Sequence, residues 1–201
     1  MLKSAKRKSD NNLIASSLLA TVLDQTAEGK RLVVLDMGLA ASATVRFFNQ
    51  SRCRLQFAAL IDAELDKYNQ QDCSHDERVN LFREALDLPS DIKIDVFLFW
   101  DLFCYLSTSA VAALMEVLAP HVHNKSRAHS IGLLNARQQM FYCEYGISSI
   151  DRLWQQPNAA TQPTIYAHTR RDFDNLFSYL TVDKSCLLSG NRVENLLLVN
   201  N

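Results

Sequence analysis

Apolar residues along the chain follow two alternating patterns, which are short unbroken runs and longer stretches with helical spacing. Unbroken runs are typical of strands that are buried on both faces of a parallel sheet. The strongest is Ile94–Phe99, in which β-branched and aromatic residues follow one another. The other runs that predict strands are Arg31–Asp36, Leu55–Ile61, Arg78–Arg83 and His129–Asn135.

The stretches with helical spacing lie between these runs. Ser107–Leu118 is amphipathic, with Ser107 or Thr108 as a plausible N-cap and Pro120 as a stop. The other predicted helices are Asn12–Ala27, Ala40–Asn49, Ala63–Gln71 and Arg170–Leu180, the last with Thr169 as its N-cap. Asp72–Asp76 is expected to be a loop. Ala136–Gln156 combines helical and aromatic features and gives no single prediction.

The C-terminal region carries a hairpin signal. Two apolar runs, Thr181–Leu188 and Arg192–Val199, are joined by Ser189-Gly190-Asn191. Alternating strands and helices upstream predict an α/β fold with a Rossmann-like, doubly wound and mostly parallel sheet. We therefore expect one domain over residues 12–201, with an antiparallel hairpin at one edge of its sheet and a flexible basic tail at residues 1–11.

Composition limits the classes of partner. The 201 residues suit a single domain, and 48% hydrophobic with 21% charged residues is a globular composition. A net charge of −1 and a pI near 6.5 do not favour nucleic acid or anionic lipid. A small molecule or a protein is the expected partner.

Other features of the sequence predict a reduced protein that does not cross a membrane. Its five cysteines are scattered and odd in number, which favours the cytoplasm over an oxidising compartment. No apolar stretch reaches the roughly 18 residues of a membrane span. His121, His123 and His129 have no acid or cysteine beside them to complete a metal site, so we expect a polar loop there and no bound metal.

Four segments in a fixed order carry a family resemblance. Val33-Val-Leu-Asp-Met-Gly-Leu-Ala-Ala-Ser42 is a hydrophobic strand followed by an acid and a glycine, and Asp62 ends the next apolar run. Glu84-Ala-Leu-Asp-Leu-Pro89 and then Trp100-Asp101 follow the third and fourth runs. Together with the terminal helix and hairpin, these segments resemble class I S-adenosylmethionine-dependent methyltransferases over roughly residues 12–199. The resemblance implies a seven-stranded sheet whose last strand is antiparallel.

The resemblance also implies a cofactor and a set of site residues. S-adenosylmethionine would be held by Asp36, Gly38, Ala40, Asp62, Glu84 and Trp100, all at or near strand ends. Gly38 would let the backbone approach the zwitterionic end of the cofactor, while Asp62 would bind the ribose and Glu84 the adenine amino group. Asp101 would be the catalytic residue, as a general base or an orienting group; it could equally cap the following turn.

The loop departs from the family pattern, and two functional hypotheses follow. Ala40 and Ser42 stand where the second and third glycines of the pattern would be, although a serine at the start of a helix can cap it. No N-P-P-[YF] run occurs in the chain. The chain is either a methyltransferase with an unidentified small-molecule or protein acceptor, or a non-catalytic binding or scaffold module with a protein partner.

Overall fold

The computed structural model describes residues 12–24, 31–60, 65–134, 141–158 and 164–200. Within these ranges the strands are β1 (Leu13–Ala15), β2 (Leu32–Asp36), β3 (Cys53–Phe57), β4 (Val96–Trp100), β5 (Arg127–Leu133), β6 (Tyr142–Ser149), β7 (Arg152–Asn158), β8 (Leu180–Leu188) and β9 (Arg192–Val199). The α-helices are α1 (Leu19–Val22), α2 (Ser42–Phe48), α3 (Leu65–Asn69), α4 (His75–Leu86), α5 (Thr108–Leu118) and α6 (Arg170–Leu176). The tail at residues 1–11 lies outside the described residues.

The central sheet has the strand order β3-β2-β4-β5-β9-β8. Its first four strands are parallel, whereas β9 runs antiparallel to both β5 and β8. This confirms the mostly parallel α/β sheet with a C-terminal antiparallel hairpin. Gly190 and Asn191 form the hairpin turn with φ angles of 75° and 55°. In the described residues the sheet has six strands where the resemblance implied seven.

The missing strand is accounted for by α4. The prediction of a strand at Arg78–Arg83 is wrong, because those residues form the middle of this helix. Ser74 begins the helix with a capping box, so His75 and Asp76 belong to the helix and not to the predicted loop. Buried Val79, Phe82 and Leu86 recur at helical spacing, which a six-residue window does not reveal.

A second, smaller sheet replaces the helix predicted near the N-terminus. Leu13–Ala15 is a strand, and helix is limited to the single turn α1, so the prediction of a helix over Asn12–Ala27 is wrong in its described part. Strands β1, β7 and β6 form an antiparallel sheet in that order, here called the small sheet. Leu13 pairs with Trp154, and so distant a partner leaves no local signal in the sequence.

The two faces of the central sheet are covered differently. Leu35, Phe97 and Phe99 pack on one face under α3–α6, with Phe82 of α4 and Leu114 of α5 in the same core. On the other face, Val34 and Leu98 pack under α1, α2 and the small sheet, together with Leu19, Phe48, Tyr145 and Ile147. The small sheet therefore lies over the ends of β2 and β4, where the family resemblance puts the cofactor.

Four predicted helices keep their predicted caps or positions. α2 and α3 lie inside the predicted ranges, and α5 is capped by Ser107, whose hydroxyl accepts a hydrogen bond from the Ala110 amide. α6 begins with a capping box between Thr169 and Asp172, and it ends at Leu176, four residues earlier than predicted.

Candidate functional site

The candidate site lies where the carboxyl ends of β2 and β4 meet, beside residues 37–41, here called the Gly38 loop. Asp36 ends β2 with a fully buried side chain. Its Oδ1 accepts hydrogen bonds from the Gly38 amide at 2.9 Å and from Nε1 of Trp100 at 2.5 Å. The first of these bonds fixes the turn of the loop, and the second ties the loop to the end of β4.

Trp100 fills the space in front of the Gly38 loop. It is fully buried, and its φ of 50° lies in the left-handed region that bulky residues rarely adopt. A Cβ atom on Gly38 would lie 3.0 Å from Cδ1 and 3.1 Å from Nε1 of the indole. The glycine is therefore needed here to admit the side chain of Trp100.

Ala40 and Ser42, which stand where the family pattern has glycines, distort the loop less than the sequence suggests. Ala40 is exposed and its φ lies outside the left-handed region, so its methyl group is tolerated. Ser42 is the first helical residue of α2, whereas Ala41 occupies the N-cap position. The capping role considered for Ser42 is therefore wrong.

Tyr145 of β6 covers the other side of the Trp100 indole. The two rings are stacked, with centroids 5.5 Å apart and an interplanar angle of 9°. The Tyr145 hydroxyl donates to Oδ2 of Asp101 at 3.2 Å, and Tyr105 donates to the same oxygen at 2.7 Å. Asp101, the residue predicted to be catalytic, is thus fully buried behind two tyrosines.

Strand β6 also crosses the start of α2. A Cβ on Gly146 would lie 3.0 Å from Cβ of Ala41 and 3.2 Å from Oγ1 of Thr44. The amide of Ile147 donates to Oγ1 of Thr44 at 3.1 Å. The polypeptide itself therefore closes over the helix start that follows the Gly38 loop.

The two buried acids share an unusual electrostatic state. Burial raises the pKa of Asp36 from 3.8 to about 7, against the opposing effect of hydrogen bonds from Trp100 and Gly38. Burial likewise raises the pKa of Asp101 to about 7, against bonds from Tyr105 and Tyr145. Oδ2 of Asp36 and Oδ1 of Asp101 have no hydrogen-bond partner among the described residues. Near neutral pH each acid is therefore only partly ionised.

A buried contact between a histidine and a glutamate lies next to the stacked rings of Trp100 and Tyr145, and the sequence did not reveal it. Nε2 of His129 lies 2.8 Å from Oε1 of Glu194, and both side chains are fully buried. Although burial opposes ionisation, bonds from His129, the Ser16 hydroxyl and the Ser17 amide hold the pKa of Glu194 below its usual value. The pair joins β5 and β9 to the segment before α1. The prediction of a polar loop extending to His129 is wrong, because β5 begins at Arg127.

The two remaining predicted site residues are Asp62 and Glu84. Asp62 is outside the described residues. Glu84 is on the exposed side of α4 and not in a turn after a strand. Its adenine-binding role, like the ribose-binding role of Asp62, stays a prediction.

Neither a metal centre nor a membrane span is found in the part of the chain that the structure describes. Its histidines, cysteines and acids do not group in threes that could hold a metal. His121 is buried against the carbonyl of Ile92, and His123 contacts Asp95 at 3.1 Å. None of the described helices combines the length and apolarity needed to cross a bilayer.

Comparisons with known proteins agree with the topology. No protein-family model matches the chain, and no curated protein matches its sequence. Among solved structures it is similar to an S-adenosylmethionine-dependent methyltransferase from Clostridium acetobutylicum, with a TM-score of 0.51, 10% identity and 91% of each chain covered. It is also similar to a candidate type 11 methyltransferase from Sulfolobus solfataricus, with a TM-score of 0.50, 13% identity and 90% of each chain covered.

A third similar structure has a stated methyl acceptor. It is the 1,6-didemethyltoxoflavin-N1-methyltransferase of Burkholderia thailandensis with bound 1,6-didemethyltoxoflavin and S-adenosylhomocysteine. Its TM-score is 0.48 at 12% identity, with 91% of this chain and 76% of that chain covered. Taken with the sheet order, the first two matches show that the chain has the fold of class I S-adenosylmethionine-dependent methyltransferases. At these identities the likeness is one of fold alone.

The residues of the Gly38 loop do not fit the amino-acid end of S-adenosylmethionine. The indole of Trp100 lies so close to Gly38 that even a methyl group on that side of the residue would clash with it. Its N–H already donates to Asp36, the acid that the resemblance assigns to the cofactor. Burial also raises the pKa of Asp36 to about 7, so this acid is only partly ionised near neutral pH.

Proposed function

We propose that the chain is a non-catalytic methyltransferase-fold protein that acts as a binding or scaffold module. The observation that carries this proposal is the contact of Trp100 with Gly38 and Asp36. A side chain of the protein occupies the place where this fold would hold the amino-acid end of its cofactor. Displacing it would break a hydrogen bond to a buried acid and the ring stack with Tyr145.

The state of Asp101 supports the same proposal. A general base must reach the proton it removes, directly or through one water. Asp101 is fully buried, and both donors to its Oδ2 are hydroxyls of the protein. In this arrangement the acid anchors Tyr105 and Tyr145, so it serves packing and not proton transfer.

We expect such a module to bind a protein partner in the cytoplasm. The near-neutral charge of the chain does not favour nucleic acid. All five cysteines are free, which suits a reducing compartment.

Methyl transfer from S-adenosylmethionine to a small-molecule or protein acceptor is the second candidate function. One specific observation favours it, besides the fold. Oδ2 of Asp36 is a buried acceptor with no partner in the described part of the protein, and an ammonium group could use it if Trp100 moved.

Calorimetry on the full chain separates the two candidates. We expect no binding of S-adenosylmethionine or S-adenosylhomocysteine at ligand concentrations up to about 1 mM, which corresponds to a binding free energy weaker than about −4 kcal/mol. Thermal unfolding with each ligand is the second measurement, because any ligand of the native state raises the midpoint.

A matched variant shows whether any binding uses the family site. If the wild-type chain binds either ligand at micromolar concentration, Trp100 does not exclude the cofactor, and methyl transfer by the bound chain decides between the two candidates. Asp62→Ala should then abolish that binding with little loss of stability. Equal affinity in the variant would instead show that the ligand binds away from the predicted ribose acid.

A further inference from the structure

Trp100 combines three relationships that a core tryptophan rarely combines. Its ring fits against a glycine, its N–H donates to a buried acid, and its far face stacks on Tyr145. Its backbone adopts φ of 50°, which costs a bulky residue of the order of 1 kcal/mol or more. The surrounding structure holds the indole in this place despite that strain.

Several buried polar atoms around the indole lack a hydrogen-bond partner in the part of the chain that the structure describes. Three buried side-chain atoms in the described residues have no hydrogen-bond partner: Oδ2 of Asp36, Oδ1 of Asp101 and Nδ1 of His129. All three residues adjoin Trp100, since Asp36 accepts its N–H, Asp101 follows it in the chain, and the His129 ring lies 5.6 Å away. Buried polar atoms are normally satisfied, so three unsatisfied atoms around one side chain mark a candidate ligand site.

We propose that the indole of Trp100 occupies a ligand site and thereby excludes small ligands that carry an ammonium group. Its indole takes the space between Gly38 and Tyr145 and gives Asp36 the hydrogen bond that a bound amine would give. Shortening this one side chain opens the space to a small ligand that carries an ammonium group. This inference rests on the proposed function, because it explains why the wild-type chain would bind no such ligand.

The charges around the space favour a cation. Asp36 and Asp101 are the acids at its two ends. Glu194 is already bonded to His129, whereas Arg192, which donates to the Tyr145 hydroxyl, keeps its positive charge on the Asp101 side of the space, so the end at Asp36 is the one that favours a cation. An ammonium beside Asp36 favours the ionised carboxylate, and binding therefore releases a proton below pH 7, where the buried acid is largely protonated.

Trp100→Gly is the informative variant, because glycine accepts the positive φ and removes the whole indole. Trp100→Phe is its matched control, since a ring still fills the space while the N–H is lost. The probes are n-butylammonium and n-butanol, which have similar shapes and differ in charge. Calorimetry should show n-butylammonium binding to the glycine variant roughly tenfold or more tightly than to Trp100→Phe or the wild type.

Two further readouts make the result specific. n-Butanol should bind the glycine variant more weakly than n-butylammonium does, because it fills the same space without the charge. In buffers of different ionisation enthalpy, n-butylammonium binding at pH 6 should release more protons than binding at pH 8. Equal affinity for the two probes in the folded glycine variant would overturn the proposal.

A second variant covers the case in which the glycine variant does not fold. Trp100→Leu keeps a buried hydrocarbon beside Tyr145 while it removes the N–H and part of the volume, and it should show the same preference in weaker form. No preference for n-butylammonium in the folded leucine variant also contradicts the proposal. Methyl transfer from S-adenosylmethionine by the wild-type chain is a different outcome, because it would refute the non-catalytic function whatever the variants do.

Discussion

Nε1 of Trp100 lies 2.5 Å from Oδ1 of Asp36 and joins the ends of two neighbouring parallel strands. In this fold, ligands bind at the carboxyl ends of such strands. Here the space at those ends is filled by the protein's own indole, with Tyr145 stacked on its other face. The fold is therefore that of a methyltransferase, whereas the geometry of the first loop is that of a packed core.

Trp100→Phe should destabilise the protein, and more so at high pH. The phenylalanine ring fills much of the same space, but Asp36 loses its donor, which costs about 1–3 kcal/mol for a buried acceptor. Since the bond from Trp100 lowers the pKa of Asp36, its loss raises that pKa further. Urea unfolding at pH 5 and pH 8 measures the difference, and an equal loss at both pH values would contradict the assigned bond.

Asp101→Asn should flatten the dependence of stability on pH. The folded pKa of Asp101, about 7, is above its unfolded value of 3.8, so the folded state binds the extra proton. Its contribution to stability is fully present below pH 4 and is lost as pH rises to about 7, at roughly 1.4 kcal/mol per pH unit.

The asparagine variant keeps an oxygen that can accept from Tyr105 and Tyr145 without the charge. Unfolding measured from pH 4 to pH 8 should therefore show a smaller decline for the variant than for the wild type. Parallel curves for the two proteins would show that Asp101 does not titrate in the folded state as inferred.

Local patterns in the sequence predicted the parts of the fold that depend on neighbours in the chain. The buried strand β4, the N-cap of α5 at Ser107 and the turn at Gly190 all follow from residues next to one another. Strand β1 was missed because its partner, β7, lies some 140 residues away and its three residues also suit a helix.

The candidate site was predicted only in part for the same reason. Asp36 and Gly38 were found from a short motif, and they do lie together at the end of β2. That motif contains no sign that Trp100 and Tyr145 close over it, because the ring stack joins residues 45 positions apart on β4 and β6. The pairing of His129 with Glu194 likewise depends on the register between β5 and β9.

Gly146→Ala should loosen the small sheet from α2. The added Cβ would lie 3.0 Å from Cβ of Ala41, and short side chains on α2 cannot rotate away from it. Overpacking of this kind costs about 1–3 kcal/mol. Gly132→Ala is the matched control, because its nearest neighbour, Nδ2 of Asn195, is 3.7 Å away. Equal unfolding midpoints for the two variants would show that β6 does not press on the start of α2.

Glu194→Gln should be the most destabilising of these changes, because it removes the charged partner of a fully buried histidine. Each hydrogen bond that a buried charged group accepts contributes about 1.5–3 kcal/mol, whereas an exposed pair contributes at most about 1 kcal/mol. Glu116→Gln is the matched control, since Glu116 pairs with His75 at the same 2.8 Å distance on the surface.

The low pKa of Glu194 gives stability that is present above its unfolded pKa and is lost as pH falls through the folded value. In urea unfolding the difference between wild type and Glu194→Gln should therefore be large at pH 7 and should shrink only as pH falls below the ordinary glutamate pKa, where acid begins to protonate the wild-type carboxylate as well. If Glu194→Gln loses no more stability at pH 7 than Glu116→Gln does, the segment before α1 is held by its apolar contacts alone.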